Sequence, residues 1–239
     1  MIQLIDTTKT FGSFVAVNHL NLEVKRGELY GFLGPNGAGK TTSIKMITGL
    51  FAPTSGSVLV NGFDVQKKPI EAKLKIGYVP DQPFLYEKLT GREFLYFSAG
   101  LYRIPHDQTE KKILETVKHM EIGPWMERRI EDYSQGMRQR TAIASALLHD
   151  PNVLVIDEPM VGLDPRSAHL VKQVFRTMAD NGCAVFMSTH SLAVAEELCD
   201  RIGILKNGEL VFEGSRDVLE DFKAKHDGKF ESMFLELTK

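Results

Sequence analysis

The chain has 239 residues, 43% hydrophobic and 25% charged, with a net charge of −2 and a pI near 6.4. That composition fits a soluble globular protein with a sizeable core, and the balanced charge gives no global drive toward nucleic acid or anionic lipid, so no nucleic-acid partner is expected. The only cysteines, Cys183 and Cys199, each sit among apolar residues and read as buried thiols in a reducing cytosol rather than as a disulfide framework.

The opening "MIQLIDTTKT" lacks the basic start and apolar run of a signal peptide. "IQLID", "FVAVNHLNLEV" and "LYGFL" read as strands, with "KRGE" turning between the last two. "GPNGAGK" then breaks the pattern, and "KTTSIKMITGL" follows at helical spacing. "GSVLVNG" is a strand closed by an Asn-Gly turn, and "IGYVP" is a short apolar strand. The longest stretch without a charged residue or histidine, Met46 to Phe63, is broken by Pro53, Ser55, Gly56 and Gly62 and cannot span a membrane. Any membrane part is expected on another polypeptide.

From about Thr90 the texture turns helical, through "GREFLYFSAGLY", "TEKKILETVKHM" and a segment opening at Ser134. "NVLVID" and "CAVFMSTH" are continuous apolar runs of strand length, as in strands buried on both faces. "RSAHLVKQVFRTMADNG" between them is a helix ending at Asn181-Gly182. "LAVAEELC" is a helix and "RIGILKNGELVFEG" a hairpin turning at Asn207-Gly208, and the tail from Lys223 is charged. Strand and helix alternate at both ends around a helical block. The expectation is one α/β domain over 1–239, with a nucleotide-binding core from 1–81 and 151–239 and an inserted helical subdomain at 82–150.

"GPNGAGKT", Gly34 to Thr41, matches the phosphate-loop pattern in its proper context, leaving a strand and opening a helix. Gly34, Gly37 and Gly39 let backbone N–H groups of the loop point inward around phosphate oxygens, with Pro35, which has no N–H of its own, Asn36 and Ala38 completing the turn, and the helix N-terminus adds a favourable field. Lys40 brings a full charge to the β- and γ-phosphates of a nucleotide, the Thr41 hydroxyl can bind Mg²⁺, and Thr42 continues the cradle. "VLVIDEP" ends an apolar strand with Asp157 and Glu158, which are costly there unless something binds them. In a phosphate-loop protein the first acid holds the Mg²⁺ shell and the second polarises the attacking water.

"EDYSQGMRQRTAIASALL", Glu131 to Leu148, poses a separate problem. Ser134 reads as an N-cap, yet Arg138 and Arg140 have the wrong sign for the positive end of a helix. One answer is an anion arriving from outside. "GPNGAGKTT", "YSQGMRQR", "VLVIDEPMVGLDP" and "MSTH" occur in the order and spacing of the ABC ATPases, and the resemblance covers nearly the whole chain. It implies a phosphate-loop NTPase core with an N-terminal antiparallel β subdomain, and two such domains packed head to tail around two ATP molecules. Ser134, Gln135 and Gly136 would close over the γ-phosphate held by a second ATP-binding subunit. The usual Leu-Ser-Gly-Gly-Gln here reads Tyr133, Ser134, Gln135, Gly136 and Met137, a form resembling exporter-type members.

The resemblance further implies that His190 contacts the γ-phosphate, that Asp164 in "GLDP" helps join the subunits, and that Phe11 stacks on adenine. Asp164 before Pro165 is also a good helix cap. The family's metal-facing glutamine after "IGYVP" falls on Asp81 by spacing to Leu89-Thr90, with the neighbouring Gln82 as the other candidate. The function implied is the ATP-hydrolysing subunit of an ABC transporter. It would sit as a peripheral cytoplasmic subunit on the inner face of the membrane and drive export through a membrane-spanning permease subunit. The aromatics of "PFLYEKLTGREFLYFSAGLY" offer a surface for that permease. A soluble mechanical ATPase of DNA repair or translation is the alternative, disfavoured by a single phosphate loop and no long heptad run. A small-molecule kinase would have no use for "YSQGMRQR".

Overall fold

The computed structural model describes residues 1–224 and 230–239. The N-terminal half opens with β1 (Ile2–Phe11), β2 (Phe14–Val24) and β3 (Leu29–Leu33), then α1 (Lys40–Ile47), β4 (Ser55–Val60), β5 (Phe63–Asp64), α2 (Pro69–Lys73) and β6 (Ile76–Val79). Three longer helices follow, α3 (Gly91–Leu101), α4 (His106–His119) and α5 (Gln135–Leu147). The rest alternates β7 (Val153–Asp157), α6 (Pro165–Asp180), β8 (Ala184–Ser188), α7 (Leu192–Leu198), β9 (Arg201–Lys206) and β10 (Glu209–Ser215), ending in α8 (Arg216–Ala224) and α9 (Phe230–Thr238).

Two sheets organise these elements. β2-β1-β4-β5 is antiparallel, and β10-β9-β3-β8-β7-β6 is parallel except for its edge strand β10. The central strands β3, β7 and β8 are buried along their whole length, which is why their sequences run apolar without alternation. One core cluster packs the large sheet against α1 and the antiparallel sheet, through Tyr30, Phe32, Phe186 and Ile44. The other packs its opposite face against α3, α5 and α6, through Leu95, Ile143, Leu154 and Phe175. Both Asn-Gly turns behave as their sequence demands, with positive φ at Asn61, Gly62, Asn207 and Gly208.

Two differences from the sequence expectation are local. The helix expected over "TEKKILETVKHM" begins earlier, at His106, directly after Pro105. The short α2 was not expected, because five residues carry too little periodicity to register. The charged tail from Lys223 lies partly outside the described residues. The two cysteines are free and buried, and burial pushes their thiols well above the usual range, Cys183 to about 12.

What positions the chemistry is the parallel order. The C-terminal ends of β3, β6, β7 and β8 lie at one edge of the sheet, where a doubly wound sheet binds its ligands.

Candidate functional site

The loop from Gly34 to Gly39 leaves β3 and caps α1. Gly39 sits at φ 109, and a Cβ there would lie 2.4 Å from the Ala16 carbonyl oxygen, so only glycine fits between the loop and β2. Gly34 meets the same limit, 2.3 Å from the Leu205 carbonyl oxygen. The loop borders a cleft of about 420 Å³ lined by Phe14, Ala16, Asn36–Thr42, Asp81, Asp157 and Glu158. The Lys40 ammonium donates to the carbonyl oxygens of Gly34 (2.6 Å) and Pro35 (3.1 Å), folded back along the loop it would share with phosphate. Burial lowers its pKa, opposed by the charges of Glu158 and Asp157.

Asp157, at the end of β7, is 4% exposed. It accepts hydrogen bonds from the hydroxyls of Ser188 and Thr41, the latter at 3.3 Å, and no lysine or arginine pairs with it among the described residues. A buried carboxylate held only by hydroxyls suits a hard cation. Thr41, Asp157 and Asp81 together offer the oxygen donors Mg²⁺ prefers. Glu158 follows at φ 51, a left-handed conformation unusual for a residue with a side chain, and its N–H donates to the Ser188 carbonyl (3.2 Å). That turn aims its carboxylate out of the sheet, where Oε2 lies 2.8 Å from His190 Nδ1. His190 itself is exposed, just past the end of β8.

Asp81 lines the cleft, whereas the exposed Gln82 is not among its lining residues. Tyr78, on β6, was missed in the sequence. Burial and the charges of Asp157 and Asp81 push its hydroxyl up to about 12. Phe14 was missed too. It pairs with Phe11 across the β1–β2 turn and lines the cleft, while Phe11 lies edge-on to Phe51 with centroids 5.6 Å apart and carries Lys9 over its ring. The signal available was the Phe-x-x-Phe spacing around a tight glycine turn.

Ser134, Gly136 and Asp164 meet elsewhere. They line a second cleft of about 360 Å³ with Trp125, Arg140 and Ser167, and it shares no residue with the phosphate-loop cleft. The Ser134 hydroxyl caps α5 by accepting from Met137 N–H (3.3 Å). Gln135 packs on Gly162, whose carbonyl lies close to Gly136, so the Ser-x-Gly turn and the loop before α6 touch. Both Asp164 carboxylate oxygens are used locally, from Arg166 N–H, Ser167 N–H and the Ser167 hydroxyl (3.0, 3.0 and 2.7 Å). The two arginines that raised the sign problem are engaged within the chain. Arg138 pairs with Glu87 (3.2 Å), and Arg140 donates to the Glu121 carbonyl (2.7 Å) with its guanidinium 4.5 Å from the Trp125 ring. The exposed residues at the start of this helix are Ser134 and Gln135.

A phosphate loop, a strand-end acid pair with a histidine, and a separate Ser-x-Gly cleft agree with the family comparison: the model of the ABC transporter family matches residues 17–161. The chain belongs to the ABC transporter ATP-binding family. It is an ATPase of the ABC type. It is 37% identical over 216 residues to the linearmycin resistance ATP-binding protein LnrL of Bacillus subtilis, covering 90% of this chain and 70% of that protein. A solved ATP-binding subunit of an ABC transporter superposes with a TM-score of 0.91 at 30% identity, covering 100% of both chains. A dimeric bacterial ABC transporter cassette superposes at 0.83 and 30% identity, over 90% of this chain and 99% of that one. No helix among the described residues is long and apolar enough to cross a membrane.

Proposed function

We propose that this ABC cassette drives export through a separate membrane permease, and that it works as a dimer with its two ATP molecules at the subunit boundary. The observation that carries the dimer reading is the separation of the two clefts. The phosphate loop and the Ser134 turn share no lining residue, so the Ser134 cleft of one chain is free to close on the ATP held by another. Residues 82–150 act as the unit that carries Ser134 to the partner.

Within one site, Asn36, Gly37, Ala38, Gly39 and Lys40 hold the triphosphate, and Phe11 with Phe14 at the hairpin tip supplies an aromatic platform for adenine. Thr41, Asp157 and Asp81 would hold Mg²⁺, which would supply neutralisation of the charge that develops on the phosphates. Glu158 accepts a proton from the attacking water, and His190, fixed by the Glu158 carboxylate, donates toward the γ-phosphate. Ser134 and the N–H groups beside Gly136 cap that phosphate from the partner, and Asp164 fixes the loop against which they rest.

The permease docks on the exposed aromatics Phe84, Tyr86 and Phe97, which touch one another in a chain of edge-on contacts. Export accords with the resistance function in the name of LnrL. Peripheral attachment at the inner face of the membrane follows from that docking. Co-purification of the tagged chain from detergent-solubilised membranes tests the partner directly: recovery with a polytopic protein is expected, and a chain found only in the soluble fraction, alone, refutes it.

A further inference from the structure

Arg138 occupies the first turn of α5, four residues after the Ser134 cap, where the helix field disfavours a cation. Its side chain turns away from the Ser134 cleft, donating to the Tyr133 carbonyl (3.4 Å) and to Glu87 Oε1 (3.2 Å). Glu87 belongs to the loop between β6 and α3 that begins at Asp81 in the phosphate-loop cleft and carries the exposed Phe84 and Tyr86. The same loop is tied to the chain just ahead of Ser134 at two more points. Glu131 N–H donates to the Glu87 carbonyl (3.0 Å), and Ile130 N–H donates to the Leu89 carbonyl (2.9 Å). Lys88 pairs with Glu131 beside them (2.5 Å).

One segment thus runs from the chain's own metal-side acid, past the aromatic patch, to the base of the helix that presents Ser134 to the partner. The backbone bonds fix that segment to residues 130–131, but they end before the cap. Among the described residues, only the Glu87–Arg138 pair hydrogen-bonds from that segment past Ser134 into α5 itself. We propose that Glu87 and Arg138 are positioning residues that set the angle of the α5 N-terminus, and so place Ser134 for closure on the partner's ATP. The inference rests on the half-site reading above. It also accounts for a cation at the wrong end of a helix: its unfavourable interaction with the helix field is offset by a carboxylate brought from another loop.

The test uses the full chain in a Glu158→Gln background, so that bound ATP persists. Sedimentation gives the dimer fraction against ATP concentration, and calorimetry gives the affinity for ADP, read on the chain's own phosphate loop. Glu87→Gln and Arg138→Gln should each weaken ATP-dependent dimerisation about fivefold or more, because the pair is lost on both sides of the dimer. ADP affinity should not move. The thermal midpoint should hold for Arg138→Gln, which removes a cation from the positive end of α5. The double reversal Glu87→Arg with Arg138→Glu should restore dimerisation to within about twofold, which a generic packing role would not do. Single variants that dimerise like the parent, or a reversal that stays as weak as the singles, overturn the positioning role. A parent Glu158→Gln chain that shows no ATP-dependent dimer overturns the half-site reading itself, and this inference with it.

Discussion

Glu158 and His190 stand 2.8 Å apart, carboxylate oxygen to imidazole Nδ1, on the ends of two adjacent parallel strands. The pair exists because Asp157 and Ser188 are in register, which brings the next turns of β7 and β8 side by side. The left-handed backbone at Glu158 then swings its side chain away from the buried Asp157 and toward His190. The hydroxyls of Thr41 and Ser188 hold one acid, and His190 meets the other.

Glu158→Gln should keep ATP binding and lower turnover by about 10²–10⁴, the usual worth of a general base. His190→Ala should lower turnover while leaving nucleotide affinity nearly unchanged. Phosphate release under saturating ATP measures both, and wild-type turnover in Glu158→Gln would remove Glu158 from the chemistry.

Lys40→Ala removes the ammonium that folds over Gly34 and Pro35. ATP affinity should drop by at least tenfold, as expected for a charge-assisted contact to phosphate. Calorimetry with Mg²⁺ present reads this directly, and an unchanged constant would mean that the triphosphate binds elsewhere.

Asp81→Ala should raise the Mg²⁺ concentration needed for half-maximal hydrolysis, and Gln82→Ala should leave it near wild type, since Asp81 lines the cleft. A Mg²⁺ titration of both variants at fixed ATP decides the register. The opposite ranking would hand the role to Gln82.

Ser134→Arg should block ATP-dependent dimerisation and turnover while sparing ATP binding to the chain's own loop. Mixed with Lys40→Ala, it should recover part of the dimer, because one of the two composite sites then has an intact loop and an intact cap. Collapse of ATP binding in the Ser134→Arg chain alone would place the turn in its own subunit's site.

His149 stacks flat on Tyr102, with ring centroids 3.6 Å apart, in the connection between α5 and β7, and burial pushes its pKa down to about 4. The folded state favours the neutral ring, so its contribution is complete above the ordinary histidine value of about 6.5 and is lost as pH falls from there toward 4. His149→Phe keeps an aromatic on Tyr102 and removes the titration. Denaturant midpoints at pH 7 and pH 5 should differ less in the variant than in the parent, and an unchanged difference would exclude this histidine as a source of acid sensitivity.

The chemistry of this chain was written in short local patterns. Gly37 and Gly39 serve the positive φ of the phosphate loop, the run "VLVID" serves burial on both faces, and Ser134 serves the open N–H groups of a helix start. Each is a contact between near neighbours or a rule of a single element, so the sequence carries it. What only the tertiary structure decided are meetings between distant segments. Asp81 rather than Gln82 lines the cleft, Phe14 joins Phe11 at the hairpin tip, and Tyr78 feels the charges of Asp157 and Asp81. The two arginines of the Ser134 helix drew attention in the sequence because they oppose the helix field, and an outside anion was the local answer. Their actual partners, Glu87 and the Glu121 carbonyl, lie 51 and 19 residues away, and such pairing is fixed by how α3, α4 and α5 pack, which no local pattern encodes.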